Sequence, residues 1–294
     1  MPRLLGKSRR RPLRRQPFWG WIRLLRPNVL FLGTGTVIGF AFIFTGGHPE
    51  WHEIFRVAIA MAAGIGFFSV MNDVLDLDRD RDVYIWRPLP SGLVDPTKAR
   101  ILVLILAFVT LGVCVSLSWR SLLIAIGLLA VSWLYNSRLK TTPLSWIAFP
   151  IIFSLIPFWV SESLHQFATV LWWSVPVGFT AGLVAHMVIK LPDYERNDVN
   201  GSRNVLHWLT IDYAVPVTWG LMGAYIVIAV ASANVQGVRI EWIGPPAFVA
   251  ILLTLTVICS SFFGVTERKL IIQRWLLSVA VIGVSIGWLG SIMG

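Results

Sequence analysis

Residues 54–82 read IFRVAIAMAAGIGFFSVMNDVLDLDRDRD, an apolar run of about 20 residues that ends in five aspartates within eleven residues. A helix of that length crosses the hydrocarbon core of a bilayer. Carboxylates at the end of such a helix are costly unless they are paired, hydrated or bound to a metal. This stretch therefore predicts a transmembrane helix with a cation-binding site at one end.

The rest of the chain is equally apolar. Its 294 residues are 56% hydrophobic and only 14% charged, with a mean hydropathy of +0.71, which excludes a water-soluble globular protein. The segments are apolar on every face, which excludes a transmembrane β-barrel. We predict an all-α membrane protein, a bundle of nine transmembrane helices around a central cavity that opens at the cytoplasmic side. The predicted spans are 22–44, 54–76, 97–118, 120–136, 143–160, 169–192, 212–233, 246–263 and 271–293.

The formal net charge of +10 has an uneven distribution along the chain. If the N-terminus is cytoplasmic, the cytoplasmic tail, loops and helix ends hold all 25 Lys and Arg residues except Arg56, Arg120 and Arg239. The positive-inside rule then places the N-terminus and both long acidic loops in the cytoplasm, with the cell membrane as the location. This placement argues against nucleic acid as a partner. Residues 1–17 are expected to form a disordered basic tail at the lipid surface, before a single domain over residues 18–294.

The first acidic segment places its oxygen ligands on one side of a helix. At 100° per residue, four side chains share an arc of about 100°, whereas Asp78 and Asp82 point to the opposite side. The four are Asn72, Asp73, Asp76 and Asp80. Clustered hard oxygen ligands suit Mg²⁺, which fills its remaining positions with water and substrate phosphates. A calcium loop starting at Asp76 is disfavoured because Arg81 and Arg87 replace the required Gly and Glu, and a merely solvated acidic cap is the alternative.

The second acidic segment, DYERNDVNGSRN at 193–204, follows the sixth predicted span. A continued helix would place several polar side chains on one side, with Asp198 elsewhere. These are His186, Lys190, Asp193, Asn197 and Asn200. Pro192 interrupts the hydrogen-bond ladder, so the register beyond it can shift and bring Asp198 round. The segment therefore predicts a second ligand set built on Asp193 with either Asn197 or Asp198, while His186 is expected to be an ordinary buried histidine.

Both segments resemble the motifs of the UbiA-type intramembrane prenyltransferases. The pattern N-D-x-x-D-x-x-x-D from Asn72 to Asp80, followed by RPLPSG at 87–92, resembles the first motif of the family. The sequence DYE at 193–195, with Gly201 and Arg203 after it, is similar to the second motif, D-x-x-x-D. An ungapped match puts Asn197 at the second acid, whereas a one-residue bulge would put Asp198 there, and we favour the bulge.

The resemblance implies Mg²⁺-dependent transfer of a prenyl group from a polyprenyl diphosphate to an aromatic or lipid acceptor within the bilayer. The metal ligands that it implies are Asn72, Asp73, Asp76, Asp80, Asp193 and Asp198. Positive charge near the leaving diphosphate would assist the reaction. We expect catalytic roles for Arg87, Lys140 and Arg203, and substrate-binding roles for Asn28, Arg79, Arg81, Tyr135, Lys190 and Asn197.

Two other functions fit part of this pattern. A terpene cyclase of the same family would ionise the same diphosphate but need no acceptor. A secondary transporter also contains intramembrane acids, but it holds them near the bilayer midplane, whereas these acids lie at helix ends. The prenyltransferase is therefore the preferred interpretation.

Overall fold

The structure, a computed structural model, describes residues 17–194, 204–235, 240–262 and 264–293. Within these ranges the chain is helical, and nine helices are long and apolar enough to cross a membrane, which confirms the predicted all-α membrane fold. The helices are α1 (Pro17–Leu25), α2 (Pro27–Phe44), α3 (Trp51–Leu75), α4 (Leu77–Asp80), α5 (Pro96–Leu117), α6 (Trp119–Ser137), α7 (Ala148–Ser163), α8 (Ser174–Lys190), α9 (Val205–Val235), α10 (Ile240–Ser261) and α11 (Glu267–Met293). All except α1 and α4 belong to spans.

Two predicted spans differ from the observed helices. The span expected over 22–44 is divided at Arg26, which has φ +53° and separates α1 from α2. The cause is Pro27, because a proline disfavours the right-handed helical conformation in the residue before it. The span expected over 212–233 begins earlier, at Val205, and α9 is kinked where Thr210 adopts φ +58°.

The spans pack in chain order into a closed ring. Each packs against the next, and α11 returns to contact α2. Polar side chains link the helices within the apolar core: Trp288 Nε1 donates to Ser232 Oγ at 2.9 Å, and the Tyr225 hydroxyl donates to the Val281 carbonyl at 3.0 Å. Such bonds help to specify helix neighbours in a bilayer, where lipid is as apolar as the helix surfaces.

A glycine sets the close approach of α8 to α7. A Cβ added to Gly182 would lie 2.4 Å from the Pro150 backbone nitrogen. We expect Gly182→Ala to destabilise the protein by about 2 kcal/mol, because the two backbones must separate. In α6, a Cβ added to Gly127 meets no described atom within 4 Å. Gly127→Ala should therefore keep or slightly raise the melting temperature, and equal melting temperatures for the two variants would contradict the packing argument.

Candidate active site

The first acidic segment keeps a helical path beyond the end of α3. The Asp76 N–H donates to the Asn72 carbonyl at 3.0 Å, and the Asp80 N–H donates to the Asp76 carbonyl at 2.8 Å. Asp73 and Asp80 are buried, whereas Asp78 is exposed. The helical register therefore turns the carboxylates of Asp73, Asp76 and Asp80 inward, as their spacing predicts.

The second acidic segment begins where α8 ends. Lys190 is its last residue, and Leu191–Asp193 form a single 3₁₀ turn that contains Pro192. The Lys190 ammonium lies over the Tyr135 ring, 5.6 Å from its centroid. Lys190 and Asp193 therefore enter the same space as the first acidic segment.

One cavity joins the two segments. It has a volume of about 110 Å³ and lies between the ends of α3, α6 and α8 and the α1–α2 break. Polar side chains dominate its wall. They are Arg26, Asn72, Asp76, Arg79, Asp80, Arg87, Lys140, Lys190 and Asp193. Five of these nine are cations, so the cavity offers positive charge in addition to its carboxylates.

Two carboxylates are paired with cations from distant parts of the chain: Asp76, which lines the cavity, and Asp73, which lies beside the lining residues. Arg26 donates to Asp73 at 2.5 Å, although 47 positions separate the two residues. The Lys140 ammonium lies 2.7 Å from Asp76 Oδ1, and Arg79 lies 3.6 Å from the same oxygen. Each of these pairs joins separate parts of the chain or successive helical turns, so together they hold the ends of the helices at the cavity.

Asp80 and Arg87 form another largely buried ion pair beside the cavity. Burial raises the pKa of Asp80 to about 6 despite the Arg87 guanidinium, and repulsion from Asp76 and Asp73 adds to the rise. Burial disfavours the charged form of Arg87, but the nearby Asp80 and Asp73 carboxylates outweigh it and raise its pKa. The guanidinium also lies over the Tyr84 ring, 3.8 Å from its centroid. Negative charge is therefore crowded around Asp80.

The inner wall of the cavity is aromatic. Phe68 stacks on Tyr135 with ring centroids 5.7 Å apart, and Phe149 meets Tyr135 edge-on at 5.4 Å. Behind them lies the buried His186, whose ring centroid is 5.2 Å from that of Phe149. Its Nε2 shares a hydrogen bond with Ser145 Oγ at 3.3 Å. His186 is thus a packed histidine behind the wall, while the three aromatic rings line the cavity.

Comparison with known families identifies the fold. Residues 32–275 match the model of the UbiA prenyltransferase family. The chain belongs to this family. Its curated relatives include the digeranylgeranylglyceryl phosphate synthase of Methanospirillum hungatei, 31% identical over 127 residues, which are 42% of this chain and 44% of the relative. A second is the 4-hydroxybenzoate octaprenyltransferase of Yersinia enterocolitica, 24% identical over 43% of this chain and 40% of the relative. The matches thus span less than half of these curated relatives.

Solved structures of UbiA homologues share the whole fold. A homologue from Archaeoglobus fulgidus bound to GPP and Mg²⁺ has a TM-score of 0.71 at 19% identity, covering 91% of this chain and 99% of that one. A homologue from Aeropyrum pernix K1 has a TM-score of 0.69 at 17% identity, covering 86% of this chain and 96% of that one. At these identities the similarity establishes the fold of this UbiA family member, a multi-pass integral membrane protein.

Some predicted site residues of this UbiA chain do not reach the cavity. Asn28 lies exposed in the first turn of α2, and it is absent from the cavity wall formed by the described residues. Arg81 is also exposed and lies 3.5 Å from Asp78, on the outer side of the acidic helix. Both were expected to bind substrate, and for these two residues outside the cavity wall that role stays a prediction. Asn197, Asp198 and Arg203 fall outside the residues that the structure describes.

Sequence reasoning missed Arg26 as a site residue in this UbiA chain. The sequence pattern led us to name its neighbour Asn28 instead, yet Arg26 lines the cavity and binds Asp73. The available signal was a lone arginine before a proline at the entry of an apolar helix. A proline breaks the helix at that point and changes the direction of the preceding side chain. An arginine there is therefore a candidate partner for a buried carboxylate.

Proposed function

We propose that this UbiA family member transfers a prenyl group from a polyprenyl diphosphate to a hydrophobic or aromatic acceptor within the membrane. The observation that carries the proposal is the convergence of both acidic segments and five cations on one cavity with an aromatic inner wall. The names of the relatives point the same way, since they include a glyceryl phosphate prenyl synthase and a 4-hydroxybenzoate octaprenyltransferase. A glyceryl phosphate lipid as acceptor would match the first relative, and an aromatic acceptor would match the second.

The ligand chemistry of the cavity fits Mg²⁺. Asn72, Asp73, Asp76, Asp80 and Asp193 supply hard oxygen atoms from two helix ends, with Asp198 or Asn197 as the proposed completion of the second set. Burial is the main cause of the raised pKa of Asp80, and repulsion from Asp76 and Asp73 adds to it. A divalent cation would relieve that repulsion. When bound, Mg²⁺ would neutralise the charge that develops on a leaving diphosphate.

The cations of the cavity would bind the diphosphate by exchanging partners. Arg87, Lys140 and Arg26 each bind a carboxylate in the described structure. If the carboxylates turn to a metal, these cations are released beside the leaving group, where charge-assisted hydrogen bonds to phosphate oxygens are strong. Arg79 and Lys190 line the same wall, and Arg203 belongs to the proposed set outside the described residues. The same rearrangement would therefore free the carboxylates to bind the metal and the cations to bind the diphosphate.

The aromatic wall would protect the allylic carbon. Loss of diphosphate leaves a carbocation, which water would capture unless the cavity excludes it. Phe68, Tyr135 and Phe149 present ring faces and apolar edges beside the charged groups. The ring faces attract positive charge, so the wall would both exclude water and stabilise the cation until the acceptor attacks.

The proposed orientation follows the charge distribution of the sequence. We place the N-terminus and both acidic segments on the cytoplasmic side of the cell membrane, with residues 18–294 as a single domain. The water-soluble diphosphate head would then enter from the cytoplasm, while the prenyl chain stays among the apolar helices.

Exchange of ion-pair partners has a measurable consequence. Mg²⁺ alone must compete with Arg26, Lys140 and Arg87 for the carboxylates, whereas pyrophosphate gives those cations a new partner. We expect millimolar Mg²⁺ alone to raise the melting temperature by less than about 1 °C, and Mg²⁺ with inorganic pyrophosphate to raise it by about 4 °C or more. A full shift with Mg²⁺ alone would contradict the exchange.

Product analysis tests the proposed function. Purified protein in lipid is given labelled prenyl diphosphates of several chain lengths with Mg²⁺, with and without phenolic or glyceryl phosphate acceptors. We expect diphosphate release coupled to a prenylated acceptor. Acceptor-independent cyclic products would show a terpene cyclase, and the absence of turnover with every chain length and acceptor would contradict the proposal.

A further inference from the structure

Three side chains that could hold a metal ion lie at the opposite end of α3 from the proposed active site. Glu50, His52 and Glu53 each offer a ligand atom, and these atoms all lie within 4.8 Å of one another. Glu53 and Asp73 are 20 positions apart on one helix, which corresponds to about 30 Å. The group is therefore separate from the carboxylates of the proposed active site.

The spacing within this group suits a tetrahedral ion. His52 Nδ1 lies 3.4 Å from Glu50 Oε2. Two ligands bound tetrahedrally at about 2.0–2.2 Å from Zn²⁺ lie roughly 3.3–3.6 Å apart. The contact of Glu53 with Arg56 is long, at 3.9 Å, so Arg56 competes only weakly for this carboxylate.

Space and further ligands adjoin the group. Glu50 and Glu53 line a cavity of about 250 Å³, whose wall also contains His48 and Gln166. His48 comes from the turn between α2 and α3, where Gly46 and Gly47 adopt positive φ, and it lines the same cavity without belonging to the group of three. The fourth position of a tetrahedral ion would be left to water.

We propose that Glu50, His52 and Glu53 bind Zn²⁺ on the face of the protein opposite the acidic cavity. An imidazole nitrogen with two carboxylates favours Zn²⁺ over Mg²⁺ or Ca²⁺, which select oxygen ligands. Helix N-termini also attract acids without any metal. That explanation accounts for Glu50 and Glu53, and an ion pair between the largely exposed His52 and Glu50 would account for their 3.4 Å contact. The metal site differs from both in requiring all three side chains to bind one ion, which variants of these side chains test.

The test is isothermal titration of chelator-treated protein in detergent with Zn²⁺, and separately with Mg²⁺. We expect one Zn²⁺ ion to bind per protein, and His52→Ala and Glu50→Gln each to lower its affinity about tenfold or more. His165→Asn is the matched control, because His165 is an exposed histidine outside the group, and it should bind as the wild type does. Size-exclusion profiles would establish that each variant is folded.

Independence from the proposed active site is tested with Asp76→Asn. This variant should bind Zn²⁺ at the Glu50, His52 and Glu53 group as tightly as the wild type does, whatever its effect on prenyl transfer. Zn²⁺ binding that His52→Ala and Glu50→Gln leave unchanged would overturn the proposal. Mg²⁺ binding as tight as Zn²⁺ binding at this group would overturn it too, because it would indicate a purely acidic surface.

Discussion

Replacing Asp76 with asparagine is expected to lower Mg²⁺-dependent prenyl transfer by about 10³-fold, the upper range for loss of one charge-stabilising group. Asp76 lines the cavity with its side chain 15% exposed and binds both Lys140 and Arg79. The amide keeps the shape of the side chain but removes its charge, so it weakens the proposed metal site. The measurement is kcat/KM with a labelled prenyl diphosphate over a range of Mg²⁺ concentrations.

Two controls separate this effect from loss of stability. Asp78→Asn removes an aspartate from the exposed side of the same helix and should leave transfer nearly unchanged. Asp76→Asn also leaves the buried Lys140 ammonium without its main partner, so the double variant with Lys140→Met should recover melting temperature but not activity. Near-normal turnover in Asp76→Asn would refute its role in the metal site.

Replacing Arg87 with methionine is expected to destabilise the protein by about 3 kcal/mol and to lower transfer by about 10²-fold or more. The change leaves Asp80, whose side chain is 5% exposed, without its guanidinium. Adding Asp80→Asn removes the unpaired charge, so the double variant should regain melting temperature. It should not regain transfer, because both a proposed metal ligand and a diphosphate contact are lost. Full activity in the double variant would mean that the pair is structural only.

The stability loss in Arg87→Met should depend on pH. The pKa of Asp80 in the fold, about 6, is above its ordinary value of 3.8, so the folded protein binds this proton more tightly than the unfolded chain. Asp80 therefore favours the fold at low pH and loses that contribution as the pH rises through 6. We expect the difference in melting temperature between Arg87→Met and wild type to be smaller at pH 5 than at pH 7.5. A constant difference would contradict the ionisation of Asp80 as its cause.

The membrane spans and the inward face of the acidic helix could be predicted because both depend on local spacing. About 20 apolar residues specify a span whatever lies beside it. Likewise, 100° per residue separates Asp73, Asp76 and Asp80 from Asp78 without knowledge of any neighbour. The span-length rule failed at Arg26. It predicted one unbroken span, but Pro27 ends α1 and begins α2.

The sequence by itself determined the class of fold, the two acidic segments and the carboxylates that face inward. Only the tertiary structure decided which cation each carboxylate meets and which aromatic rings close the cavity. Arg26 and Asp73 are 47 positions apart, and Lys140 reaches Asp76 from the end of α6. Coulombic pairing depends on the distance between charges, and that distance is set by how the helices pack around the ring, which no local pattern of residues encodes.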